Sequence, residues 1–292
     1  MKFVTFRSDD YVGFGAIRGQ GIVDLRRRLG HADLKAFLGS GAHSDAEKEL
    51  KTASSPDFSC AAVRLLPPIP NPNKILCVGL NYRDHLTETK LTEYPYPVLF
   101  SRFADTLVAH GDSIWRPRNS TSLDFEGELL VIIGRGGRHI DEAKALEHVG
   151  GYACFNDASL RDWQFHTNQH LTGKNFPRTG GFGPWLVTPD EVDLKSAYLY
   201  TRLNGVQMQS AAIASQIFTL KRLISYCSAF TPLSPGDLIS TGTPSGIGNR
   251  RNPKIFMKPG DTIEIEITGV GKLINTIADE PRVTSEMRSE SC

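Results

Sequence analysis

Several familiar signatures are missing from this 292-residue sequence. Its five cysteines, Cys60, Cys77, Cys154, Cys227 and Cys292, are scattered, odd in number and never form a Cys-x-x-Cys pair. That argues against a disulfide framework or a zinc knuckle and predicts a reducing compartment, with the cytoplasm as default. No stretch approaches the roughly 20 apolar residues of a membrane helix. The first ten residues carry charge and no apolar run of signal-peptide length, which predicts no secretory leader. A formal net charge of +1 gives no global field toward nucleic acid or an anionic membrane. There is no basic run with interleaved aromatics, no internal repeat and no low-complexity segment. Also absent are G-x-S-x-G, H-E-x-x-H, a strand-borne G-x-G-x-x-G and the phosphate-binding G-x-x-x-x-G-K-[ST].

What is present is an ordinary globular composition, 40% hydrophobic and 22% charged, long enough for a real core. Residues 1–66 read as a small N-terminal domain. Lys2–Arg7, Val12–Arg18 and Gly21–Leu25 pattern as strands, and Asp33–Leu38 and Ser44–Lys51 as helices, the second with Ser44 as N-cap. Residues 67–72 hold four prolines, Pro67, Pro68, Pro70 and Pro72, which suit neither a helix interior nor a central strand. They mark a linker to a larger domain over 73–283. There Lys74–Gly79 and Leu129–Gly134 read as buried strands, and Thr262–Thr268 as a half-buried one with alternating Ile and Glu. Asp84–Thr89, Asp141–His148 and Ile217–Phe230 read as helices. The polar tail, Thr284–Cys292, reads as loose.

Five constellations could carry chemistry. In Asp124-Phe-Glu-Gly-Glu-Leu-Leu-Val-Ile-Ile-Gly, Glu126 and Glu128 lie two apart and so share a face in an extended strand. Two carboxylates beside a core are costly unless a positive charge neutralises them. A divalent cation does so, and all-oxygen ligands suit Mg²⁺ or Mn²⁺, with Ca²⁺ also possible. Solvated glutamates on an edge strand are the bland alternative. In Gly150-Gly-Tyr-Ala-Cys-Phe-Asn-Asp, Asp157 ends an apolar strand as a third carboxylate or as a helix N-cap. In Gly79-Leu-Asn-Tyr-Arg-Asp-His-Leu-Thr-Glu, His85 and Glu88 lie three apart in a first helical turn. They form either a base with its orienting carboxylate or a plain surface pair. The glycine-rich Leu171–Trp185 segment carries Lys174. In Ser240-Thr-Gly-Thr-Pro-Ser-Gly-Ile-Gly, Thr241 and Thr243 flank a glycine that cradles a carboxylate or simply turns the chain. His166 and His170, four apart, lack a carboxylate at ligand spacing and read as surface or substrate-loop groups.

In this order the blocks resemble the fumarylacetoacetate hydrolase family. The resemblance also takes in Asn156-Asp157 with Arg161-Asp162, Gly173-Lys174-Asn-Phe, Lys258-Pro-Gly-Asp and Gly269-Val-Gly-Lys-Leu-Ile-Asn, and spans about Lys74 to Thr276. It implies an α+β, mainly β architecture: a mixed β-sandwich roll behind a small, variable N-terminal α/β domain, usually as a homodimer. It places metal ligands on Glu126, Glu128 and Asp157, a dyad on His85 and Glu88, a lysine on Lys174 and a loop threonine on Thr243. Arg102 falls where the family's pocket wall is expected, and Tyr82, Arg161 and Trp163 join it as candidate substrate contacts.

The activity so implied is cleavage of a C–C bond in a 2,4-dioxo acid to pyruvate and a carboxylic acid. The metal stabilises enolate charge, His85 with Glu88 activates water, and Lys174 steadies the oxyanion or positions a carboxylate. The acylpyruvate, fumarylpyruvate and 2,4-dioxo-3-deoxy sugar acid classes all fit. The same chemistry serves an oxaloacetate-type decarboxylase, or an isomerase or hydratase of an unsaturated 2-oxo acid. A metal-binding protein without catalysis predicts a damaged constellation, and every placed motif residue is intact.

Overall fold

The unbroken apolar run Gly127–Ile133 is a strand buried along its whole length. Its neighbours explain why. Leu129, Val131 and Ile133 enter one core cluster, and Leu130 and Ile132 enter a second on the opposite face, because successive strand side chains alternate. Truncating any of these to alanine costs about 2–5 kcal/mol, so the strand is a fixed platform for what its first residues carry.

The computed structural model describes residues 1–89 and 93–282. The tail expected over Thr284–Cys292 lies outside the described residues. Among these residues a twelve-stranded sheet runs from Phe58–Ser59 through the N-terminal strands to Gly180–Val187, Val149–Asp157, Gly127–Ile133, Leu238–Ser240, Ile75–Gly79 and Val98–Arg102. A five-stranded sheet holds Tyr198–Leu203, Val206–Ala212, Thr262–Ile267, Gly271–Asp279 and Ser113–Arg116. Its Ile263, Ile265, Ile267 and Leu273 pack on the Leu129–Val131 face of the large sheet. On the other face Leu130 and Phe155 share a core with Phe3, Phe14, Leu34 and Phe37. The architecture is mainly β with few helices, as expected.

The proline-rich stretch separates two segments along the chain but not in the sheet. Lys2–Ser8 pairs with Gly180–Val187 through Lys2↔Val187 and Phe3↔Leu186, so the N-terminal strands extend the larger unit's sheet. Two local expectations also shift. The helix expected from Ser44 is His43–Thr52, preceded by Ala42 without a side-chain cap. Ser44 therefore lies inside the first turn. Asp141–His148 is a 3₁₀ stretch, Glu142–His148, capped by Asp141. The long helix, Leu220–Phe230, begins after Thr219, whose side chain caps it. No described helix is long and apolar enough to cross a membrane.

Candidate active site

Antiparallel pairing sets Glu128 opposite Phe155, and Asp157 N donates to Glu126 O at 2.9 Å. The start of one strand is thereby laid against the end of the other. Glu126, Glu128 and Asp157 are all buried, and one oxygen from each lies within 4.8 Å of the others. Neither bland alternative fits: the glutamates are not solvated, and Asp157 caps no helix. Gly127 between the glutamates is required by close approach, since a Cβ there would come within 2.2 Å of the buried Thr201 Oγ1.

Cations meet these carboxylates from below and from the side. Lys174 Nζ lies 2.6 Å from both Glu126 Oε2 and Asp157 Oδ2, and donates to Asp157 O at 3.1 Å. Its three protons are thus all committed. Arg161 pairs with Glu126 at 2.7 Å and with Asp124 at 2.8 Å. Arg102 pairs with Asp157 at 2.6 Å. Burial alone would raise the Glu126 carboxyl, but the Lys174 and Arg161 charges outweigh it and hold it down to about 2. Glu128 goes the other way. Burial, then the Asp157 and Glu126 charges, push it well above the carboxylate range. Four carboxylates (Asp124, Glu126, Glu128, Asp157) face three cations (Arg102, Arg161, Lys174), and Glu128 is the one with no ion pair of its own among the described residues, so its ionised form would leave one negative charge for a bound cation to answer. A converging all-oxygen donor set with excess negative charge fits a hard divalent cation such as Mg²⁺ or Mn²⁺.

The dyad is held by a separate set of contacts. Asn81 donates to Thr241 O at 2.7 Å and accepts from Phe218 N at 2.7 Å, which fixes the chain entering helix Arg83–Thr89. On that helix His85 Nδ1 lies 3.0 Å from Glu88 Oε2, and Glu88 Oε1 accepts from Gly246 N at 2.9 Å. Ser245 Oγ donates to Asp84 Oδ2 at 2.7 Å. The helix is therefore tied to the Thr241–Gly246 loop. In that loop Gly242 has φ +97°, a left-handed conformation that favours glycine, and its N donates to Glu128 Oε2 at 2.9 Å. Thr243 Oγ1 donates to Gly127 O and accepts from Gln209 Nε2, which leaves it beside the strand that carries Glu128.

Both sets open into one cavity of about 650 Å³, lined among others by His85, Glu126, Glu128, Arg161, Lys174 and Thr243. Three of the proposed substrate contacts lie elsewhere. Arg102 does not form the pocket wall. It is 3% exposed, and its guanidinium also donates to Ala158 O and Thr179 Oγ1. A buried guanidinium beside a buried carboxylate is a support, because either charge alone would be costly there. Tyr82 is fully buried and accepts from Gln216 Nε2 at 3.3 Å. Trp163 packs edge-on against Phe176 and beside His166.

The structure also adds residues that the sequence reading did not assign. Gln164 accepts from Arg161 at 2.7 Å and donates to His170 Nδ1 at 2.8 Å, so His170, which lines the cavity, carries its proton on Nε2. Asp124 accepts from Arg161 and from the N–H groups of Gly248 and Asn249. Its place two residues before Glu126 was the one available signal. Asn249 and Arg250 line the cavity with no sequence cue at all.

Comparison with known proteins agrees with this geometry. Residues 74–278 match the model described as fumarylacetoacetate (FAA) hydrolase C-terminal. The chain is 36% identical over 287 residues to oxaloacetate tautomerase FAHD2A, mitochondrial, of Bos taurus, covering 95% of this chain and 91% of that one. Fumarylacetoacetate hydrolase from psychrophilic Exiguobacterium antarcticum superposes with TM-score 0.81 at 31% identity, covering 96% of this chain and 100% of that chain. Maleylpyruvate hydrolase from Sphingobium sp. SYK-6, solved with manganese (II) and pyruvate, gives TM-score 0.81 at 25% identity with the same coverage, 96% and 100%. The chain belongs to the fumarylacetoacetate hydrolase family.

Proposed function

We propose that this protein is a divalent-metal enzyme that interconverts the keto and enol forms of a small 2-oxo acid of the oxaloacetate class. The single observation that carries the reading is that His85, paired with Glu88, lines the same cavity as Glu126 and Glu128, two of the three triad carboxylates. A divalent cation on the triad would supply Lewis-acid polarisation of the substrate's keto oxygen when bound. The chain's own residues do the rest. Glu88 fixes the imidazole through Nδ1, so Nε2 is the nitrogen that takes a proton from substrate C3 and returns one to oxygen. Lys174 and Arg161 hold Glu126 ionised, and Arg102 and Lys174 aim Asp157 through ion pairs. Thr243 lines the cavity wall, its hydroxyl proton given to Gly127 O.

Two features favour proton transfer over hydrolysis. Lys174 has no uncommitted proton for a distal oxyanion. The Bos taurus relative, aligned over 95% of this chain, carries the tautomerase name. C–C cleavage of a 2,4-dioxo acid is the second reading. It is favoured by the cavity of about 650 Å³, in the range that holds ligands much larger than a four-carbon acid. The homodimer expected from the resemblance belongs to this proposal. So does a reducing setting such as the cytoplasm, supported by the four cysteines described, all unpaired.

The test is a product assay on Mg²⁺- or Mn²⁺-loaded protein with oxaloacetate, acetylpyruvate and fumarylpyruvate. Enol decay and exchange of C3 protons with deuterated water, both lost with EDTA, support the tautomerase. Pyruvate with a stoichiometric second acid from the diketones moves the assignment to a hydrolase, and carbon dioxide from oxaloacetate moves it to a decarboxylase. Inactivity on every substrate sinks the enzymatic reading.

A further inference from the structure

Three side chains of fixed positive charge line the cavity: Arg161, Lys174 and Arg250. Two are committed. Lys174 gives all its protons to Glu126 and Asp157, and Arg161 donates to Asp124 and Gln164 and forms an ion pair with Glu126. Arg250 differs. Its residue is exposed, and among the described residues its guanidinium makes no hydrogen bond, ion pair or ring contact. Its backbone is nonetheless well fixed. Gly248–Arg250 is a 3₁₀ turn, Arg250 N donates to Ile247 O at 3.2 Å, and Gly248 N and Asn249 N donate to Asp124 at 2.8 and 2.9 Å. Asp124 in turn pairs with Arg161, which pairs with Glu126. The backbone that carries the uncommitted cation is therefore held in a set relation to the Glu126 end of the cavity.

We propose that Arg250 is a specificity residue that binds a second carboxylate on the substrate, so that the enzyme selects 2-oxo diacids over 2-oxo monoacids. This rests on the 2-oxo acid reading above. The chemistry follows from the inventory of the wall. A diacid brings one carboxylate to the triad end and needs a cation for the other. The remaining polar wall groups, Gln164, Thr167, Asn168 and Asn249, are neutral, and burial with the Lys174 charge pushes His170 down and keeps it neutral at pH 7. A guanidinium fork suits a carboxylate. Because Arg250 is solvated, the pair is of intermediate strength, worth about five- to thirtyfold in KM.

The experiment measures C3 proton exchange by metal-loaded protein on oxaloacetate, 2-oxoglutarate and the monoacid 2-oxobutyrate. The expected result is that the wild type prefers at least one diacid. Arg250→Gln lowers the diacid-to-monoacid ratio of kcat/KM by about five- to thirtyfold, through KM. Arg250→Lys keeps part of the preference, and added salt erodes it in the wild type. An unchanged ratio in Arg250→Gln overturns the inference, and so does an equal loss on both substrate types. A wild type that exchanges no substrate defeats the proposed function itself, so the two failures are separable.

Discussion

Arg102 Nη1 donates to Asp157 Oδ1 at 2.6 Å, with both side chains at 0% exposure. The pair is buried and Arg102 does not line the cavity, so the guanidinium supports a candidate ligand without reaching the substrate space. Arg102→Met removes the cation and leaves Asp157 buried against the other carboxylates. Breaking such a pair costs about 3–5 kcal/mol, and loosening a ligand's support typically costs about 10–100-fold in metal affinity. Chemical denaturation and calorimetric titration with Mn²⁺ check both numbers. A variant as stable as the wild type with equal affinity would show that Asp157 needs no such support.

Metal binding should register as stability. The triad crowds three buried carboxylates, and Glu128 is pushed up by burial and by its two anionic neighbours. An ion bound only by the folded state at 100 times its Kd adds about 2.7 kcal/mol. That corresponds to a rise of roughly 4–5 °C in Tm for a chain of 292 residues. Differential scanning fluorimetry with Mg²⁺, Mn²⁺ and EDTA measures it. Glu128→Gln removes one ligand charge and should abolish most of the rise.

The dyad assignment predicts a kinetic signature. His85→Ala should lower turnover by about 10²–10⁴-fold, the usual contribution of a general base. Its Mn²⁺ affinity should stay near that of the wild type, because the imidazole is not in the triad. Glu88→Gln keeps the shape but weakens the Nδ1 partner, so a smaller fall is expected. Near-normal rates in His85→Ala would remove the dyad from the mechanism.

A pH prediction comes from the other end of the chain. His43 lies within ring contact of Phe3 and Phe37, at 6.2 and 5.4 Å between centroids. Burial lowers its pKa below the ordinary value of 6.5. The unfolded state therefore binds a proton that the folded state resists. Stability is full above about pH 6.5 and falls as pH drops through the window below it, toward the depressed folded value. His43→Gln should flatten that part of the stability curve relative to the wild type. Urea midpoints from about pH 7.5 down to about pH 5.5 would show it, and parallel wild-type and variant curves would refute it.

Local periodicity made much of the site legible. The i, i+2 spacing of Glu126 and Glu128 before an apolar run pointed to a shared face, and the structure places Glu126 just before that strand and Glu128 within it, an oxygen of each within 4.8 Å of the other. The i, i+3 spacing of His85 and Glu88 likewise foretold their 3.0 Å contact. Both relations are set by neighbours three residues away or fewer, through the geometry of strand and helix. Capping was less legible, since Ser44 and the true preceding residue, Ala42, compete within one turn.

The amino-acid sequence by itself determined several of the strands, the spacing of the two glutamates and the His85–Glu88 contact, because each is encoded within one turn or two residues of chain. Tertiary structure alone decided which cation answers which carboxylate. Arg102 meets Asp157 across 55 residues and Lys174 meets Glu126 across 48. It also decided that Arg102 is buried and does not line the cavity while Arg250 does. The physical reason is that charge interactions act through space and depend on burial. A guanidinium reads the same in any sequence, and only sheet register and packing fix whether it neutralises a buried ligand or meets a substrate.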